Sequence, residues 1–203
     1  MYDFLKSTAL LLVLLNPFLI IIYLVDVVQK LKQEQFRSVL MRAGVIASII
    51  FCSFALLGDT IFSGLMQVEF ASFQIFGGIV FLLIGIQFVF RGPEAIEILQ
   101  GESRHIAGAV AMPVLIGPGT ISASVIIGKR LDPLIACVAV VVAVVVCLAI
   151  MMFLKFLHDL ANHTHEALIQ RYIEIAGRIT ALYTGTVAVD MIMQGIQAWM
   201  QKI

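Results

Sequence analysis

The sequence predicts an all-α polytopic membrane protein. Six transmembrane helices are expected as two inverted three-helix repeats, with helices 1 and 4 broken near the bilayer midplane. Three observations carry this. Of 203 residues, 61% are hydrophobic and only 13% charged, with a mean hydropathy of +1.05; a soluble domain has about 25% charged residues. The apolar excess falls into runs of roughly 20 residues or more, enough to cross a ~30 Å hydrocarbon core as helix. Two of those runs, at matching places in the two halves of the chain, contain strong helix breakers.

Span 1 covers about residues 4–28; its apolar stretch is too long for the core of a cleaved signal, so it is expected to be retained. A polar segment over 29–42 reads as a short basic, partly amphipathic helix on the membrane surface. Span 2 covers about 43–66, span 3 about 70–90, span 4 about 106–127, span 5 about 134–157 and span 6 about 173–200. The connections are polar and mostly short, so a single transmembrane domain over 1–203 is expected.

Positive charge sets the orientation. The loops after spans 1, 3 and 5, with their flanks, hold Lys30, Lys32, Arg37, Arg42, Arg91, Arg104, Lys155, Arg171 and Arg178; the other side holds Lys6, Lys129, Arg130 and Lys202. The first side is expected to be cytoplasmic, with both termini outside a plasma (inner) membrane. Trp199 with Lys202 reads as an interfacial anchor.

A shift of about 100 residues brings the halves into register. Ile75, Gly77, Ile79, Leu82 and Gly85 of span 3 fall over Ile175, Gly177, Ile179, Leu182 and Gly185 of span 6, and Leu15-Asn16-Pro17-Phe18 falls over Ile116-Gly117-Pro118-Gly119 with one further residue of shift. Repeat 1 spans about 1–95 and repeat 2 about 104–203. A repeat of three spans sets its second copy upside down, the plan of many secondary transporters.

That register explains the breakers. Proline removes an N–H and clashes with the preceding turn, and glycine adds backbone freedom. Asn16-Pro17 and Gly117-Pro118-Gly119 would therefore split spans 1 and 4 into half-helices. Backbone groups freed there must face protein or a wet cavity, and a half-helix that starts there presents unpaired N–H groups and a partial positive charge to an anion. The expected substrate site is Asn16, Pro17, Gly117, Pro118, Gly119, Thr120 and Ser122, with Ser124 just beyond. The plainer reading of each break is a proline kink, and each hydroxyl could bond its own backbone.

Ionisable residues within a span are functional candidates by default. Asp190 lies well inside span 6, with Gln194 one turn on along the same face; these and Asp59, toward the end of span 2, are the expected coupling acids and their partner. Asp26 lies near a span end. Glu174 and Arg178 are spaced for a structural i,i+4 ion pair.

Several function classes are disfavoured. Net charge is zero with no basic run, so no nucleic-acid partner is expected. His158, His163, His165 and Glu166 match no zinc spacing, and neither a metal nor another cofactor is expected. Cys52, Cys137 and Cys147 lie in apolar runs as small packing residues. There is no G-x-S-x-G and no H-E-x-x-H, so no enzyme is expected. Gly77, Gly78, Gly85 and Gly185 suit close helix packing; such faces would permit a homo-oligomer or serve one chain alone.

The order of "LLNPF" in span 1, "FQIFGGIVFLLIGIQFVF" in span 3, "AMPVLIGPGTIS" in span 4 and "GRITALYTGTVAVDMIMQGI" in span 6 resembles the MarC family of bacterial and archaeal inner-membrane proteins, over essentially the whole chain. The resemblance implies transport of a small zwitterion such as glycine or alanine, with proton coupling as part of that expectation. Two places depart from the family pattern. Pro17 is followed by Phe18-Leu19-Ile20 rather than Gly-Asn and a second proline, and Asp190 and Gln194 stand where the family commonly has Gln and Asp. The residues themselves leave three functions open: a transporter of a small carboxylate-bearing solute, a transporter of an inorganic ion or a phosphate-bearing lipid carrier, and a non-transporting scaffold.

Overall fold

A computed structural model of the chain describes residues 2–18, 20, 33–65, 68–91, 116–160 and 166–201. Among these every regular element is helical: α1 (Tyr2–Leu15), α2 (Gln33–Asp59) running into a π-helical stretch (Thr60–Leu65), α3 (Phe70–Arg91), α4 (Pro118–Arg130), α5 (Pro133–Leu160) and α6 (Glu166–Met200). Among the described residues, four stretches are long and apolar enough to cross a membrane: Gln33–Gly58, Phe70–Phe90, Pro133–Leu157 and Glu174–Met200. These are spans 2, 3, 5 and 6.

Spans 1 and 4 differ. α1 has 14 residues and α4 has 13. At 1.5 Å per residue each reaches about 20 Å, short of a ~30 Å core. α1 ends, and α4 begins, at the breakers. Most of the remaining sequence of both spans, at 21–28 and 106–115, lies outside the described residues, as do Asp26 and Pro113.

Two element starts are corrected. Residues 33–42 do not form a separate surface helix but open α2. No proline interrupts the chain there, and Phe36, Leu40, Ala43, Ala47 and Phe51 form one continuous buried stripe while Arg37 and Arg42 stay exposed. A stripe at helical spacing that is already packed has no reason to end at the first charged residues. α6 likewise starts at Glu166 rather than about 173, through a run of good helix formers.

The turn from α2 to α3 is held by aromatic packing. The Phe62 ring lies 5.9 Å from Phe54, 5.4 Å from Phe70 and 4.7 Å from Phe73, centroid to centroid. α5 starts where Pro133 occupies the first helical position, whose N–H would be unpaired anyway, and Ala136 N–H donates to Asp132 O at 2.8 Å.

α5 is the centre of the core. Its Ala136, Ala139, Val140, Ala143, Val144, Cys147 and Met151 are fully buried against Leu11, Leu14 and Leu15 of α1 and the α2 stripe. Its other faces carry exposed valines. Lipid is as apolar as they are, so tight packing rather than water exclusion holds such helices together. α3 and α6 run antiparallel along the longest helix contact, with α2 against α5 and α4, and α1 against α5 and α4. At Gly78 a Cβ would come 2.8 Å from Ala188 O, and at Gly85 it would come 3.3 Å from the Gly185 Cα. The two backbones meet where side chains are missing. Cys52 Sγ lies 3.9 Å from Cys137 O, and Cys147 is buried in the core.

Candidate functional site

The first breaker ends α1 at a single residue. Asn16 has φ 44, the one positive value among non-glycine described residues, and asparagine is among the few residues that adopt this left-handed conformation readily. Its N–H still donates to Leu12 O and Val13 O, each at 3.1 Å, and its carbonyl accepts from Ile20 N–H at 3.0 Å. Helical backbone therefore stops at Leu15 and resumes at Pro17, whose ring could not have continued α1. Asn16 is 3% exposed, so the break is covered by protein, as apolar surroundings require.

The second breaker starts α4. Gly117 is extended (φ −106, ψ 167) and Pro118 occupies the first turn. Ile121 N–H donates to Gly117 O at 3.0 Å. Thr120 folds back: its Oγ1 accepts from Gly117 N–H at 3.0 Å and donates to Gly117 O at 3.0 Å. Glycine has no side chain to cap the turn in return, so no side chain of the N-cap reaches the first N–H groups. Ser124 Oγ donates to Thr120 O at 2.8 Å.

Ser122 is different. It is 0% exposed, and its Oγ has no hydrogen-bond partner among the described residues. Buried hydroxyls are almost always paired. Helical side chains lean toward the N-terminus, and Ser122 sits three and four residues past Gly119 and Pro118, so its hydroxyl leans over the opening turn. The Gly119 N–H, at the second helical position, has no acceptor within its own helix.

Space accompanies these groups. Among the described residues, a Cβ on Gly117 would meet nothing within 4 Å, and an extended backbone suits any residue. Neither conformation nor packing demands glycine there. The opposite holds on the α3 side. A Cβ on Gly77 would come 3.0 Å from Pro118 O and 3.1 Å from Gly119 N, and one on Gly119 would fall on the edge of the Phe81 ring. α3 thus presses its Gly77–Phe81 face directly onto the first turn of α4. Gly77 serves this contact rather than the α3–α6 seam that its neighbour Gly78 occupies.

The intramembrane polar groups lie elsewhere. Gln194 Nε2 donates to Asp190 Oδ2 at 2.6 Å, as the one-turn spacing suggests. Gln194 Oε1 accepts in turn from Gln74 Nε2 at 3.3 Å. Gln74, 5% exposed on α3, is not among the residues that sequence reasoning singles out; an amide inside an apolar span is the signal that could have found it. Asp190 is exposed on α6. Its link to α3 runs through the two glutamines. Asp59 is the last residue of α2, and its side chain lies outside the described residues, as do His163, His165 and the side chains of His158 and Glu166. Glu174 and Arg178 form the expected ion pair at 2.6 Å on an exposed face.

Known proteins share this sequence pattern along its whole length. A family model described as MarC family integral membrane protein matches residues 1–200. The chain belongs to the MarC family. Three UPF0056 membrane proteins are similar along nearly their whole lengths. That of Aquifex aeolicus is 25% identical over 96% of this chain and 92% of its own. The Pyrococcus horikoshii protein is 22% identical over 95% and 93%, and that of Buchnera aphidicola is 21% identical over the full length of both. No solved structure matches. This MarC-family chain is therefore an integral membrane protein, and its α4 opening turn is its candidate binding site.

Proposed function

We propose that this MarC-family protein is a secondary transporter of small neutral amino acids of the glycine and alanine class. It would work by alternating access around two broken helices that belong to an inverted repeat. The observation that carries the reading is the first turn of α4. An N–H at its second position, a buried hydroxyl without a partner and open room beside Gly117 lie together. Helix N-termini favour carboxylates through both their N–H groups and their dipole, so a solute carboxylate is the natural partner for Gly119 N–H and Ser122. Asn16, Thr120 and the Pro17 and Pro118 turns complete the site in this reading.

The helix pairing supports the repeat. α1 with α4, α2 with α5 and α3 with α6 each pair a span with its counterpart in the other half, and the contact of α2 with α4 is mirrored by that of α5 with α1. These contacts exchange with one another when the halves are swapped, which is the behaviour expected of a repeat. Asp190 is the proposed proton-binding carboxyl, held by Gln194 and, through it, Gln74, with Asp59 a further acid. Basic loops facing the cytoplasm and both termini outside complete the proposed topology.

The test is a thermal-shift comparison on purified protein at pH 6 and pH 8, with glycine, alanine, divalent cations and phosphate-bearing lipid head groups. A ligand that binds only the folded state raises its stability with occupancy. Shifts with glycine or alanine are expected. A shift with phosphates or cations alone would overturn the amino-acid reading, since the same N–H groups bind phosphate equally well.

A further inference from the structure

From the contact between α3 and α4 we infer that Phe81 is the size filter of the transport site. It admits solutes whose α-carbon carries hydrogen or methyl and rejects longer side chains. The inference rests on the reading that the first turn of α4 holds the solute carboxylate.

Phe81 is 8% exposed and its ring lies against Gly119, in the space a side chain at that position would take. A carboxylate on the Gly119 N–H has its α-carbon one bond away. That carbon must then lie beside the residue whose missing side chain already houses the Phe81 ring. Gly77, one turn before Phe81 on the same face of α3, closes on Pro118 O and Gly119 N with no side chain of its own. Backbone and ring together form a wall along one flank of the turn. Among the described residues the open flank is at Gly117, which leaves the route for the carboxylate and not for a bulky substituent behind it. The wall is hard to displace, because a buried ring in a close-packed interior has few alternative rotamers to adopt. The Phe81 ring itself bears no polar atom, so it offers nothing to the side chain of serine or asparagine.

Rejection by a wall is specificity through a clash rather than through an added attraction. One methylene more or less in a pocket is typically worth about 10–200-fold. Wild-type protein is therefore expected to bind glycine and alanine at least about tenfold more tightly than leucine or phenylalanine.

The experiment is ligand-dependent thermal stability of the full chain in detergent. Glycine, alanine, leucine and phenylalanine are compared on wild type, Phe81→Ala and Phe81→Leu. Phe81→Ala should close the gap between glycine and leucine to less than about threefold, half or more of the logarithm of the expected discrimination. Phe81→Leu keeps an apolar side chain in the slot and should narrow the gap partway; it serves if the alanine variant does not fold. Because the readout is a ratio between solutes, a general loss of stability does not imitate it. Equal binding of leucine and glycine by wild type would overturn the filter without any variant. An unchanged gap in a folded Phe81 variant would overturn it while leaving the transporter reading standing. Absence of any amino-acid shift in wild type would remove the transporter reading and the filter with it.

Discussion

Gln74 of α3 donates its side-chain amide to Gln194 of α6 at 3.3 Å, across 120 residues of sequence. Gln194 passes the interaction on to Asp190 at 2.6 Å. A carboxyl group within an apolar span needs pairing, solvation or a proton, and this relay provides the pairing from one side. Asp190→Asn keeps size and hydrogen bonding but removes the titratable proton. It should preserve glycine-induced stabilisation while abolishing proton-driven accumulation in proteoliposomes. Full accumulation by the asparagine variant would exclude Asp190 from coupling.

Gln194→Leu should leave Gln74 without a partner in the α3–α6 contact. Hydrogen bonds between membrane helices average about 0.6 kcal/mol and reach about 1.7, so a modest fall in the thermal midpoint is expected. An unchanged midpoint would mean that the relay adds nothing to helix association.

Ser122→Ala should act in opposite directions on stability and on binding. Its hydroxyl is buried without a partner, and relieving such a group is worth about 1 kcal/mol or more. The ligand-free variant is expected to be as stable as wild type or more so, and to show a weakened shift with glycine. Lower stability together with unchanged glycine binding would contradict both parts.

Gly117→Ala and Gly78→Ala make a matched pair. The first adds a methyl to an extended residue with nothing within 4 Å, so stability should hold within about 0.5 kcal/mol. The methyl fills the approach to α4, however, and glycine affinity should drop about tenfold or more, by analogy with a single methylene's effect in a pocket. The second drives a Cβ to 2.6 Å from Ile192 Cγ1 and 2.8 Å from Ala188 O. Overpacking of that kind typically costs about 1–3 kcal/mol, which unfolding in detergent would register. Equal behaviour of the two variants in both assays would deny that Gly117 serves a ligand and Gly78 serves packing.

Local composition and backbone chemistry set the features that the sequence determined by itself. Span 3 is legible at both ends, because the run from Phe70 to Phe90 holds no charged residue and lies between Glu69 and Arg91. The disturbances at Asn16 and Gly117 are legible because proline lacks an N–H wherever it sits. The Asp190–Gln194 and Glu174–Arg178 contacts are legible because helical spacing brings residues four apart together. Tertiary structure decided the rest. Gln33 opens α2 because Phe36 and Leu40 find a packed surface, which no local count of charges foretells. The sequence showed that Gly77 and Gly78 are small, but only the fold set one on the opening turn of α4 and the other on α6. It likewise brought Phe81 to Gly119, turned Asp190 outward and joined Gln74 to Gln194. Hydropathy and helix breaking act within a turn or two of chain, whereas these contacts depend on how separate helices rotate about their axes and where they cross, which the small residues at their interfaces settle only once the helices have met.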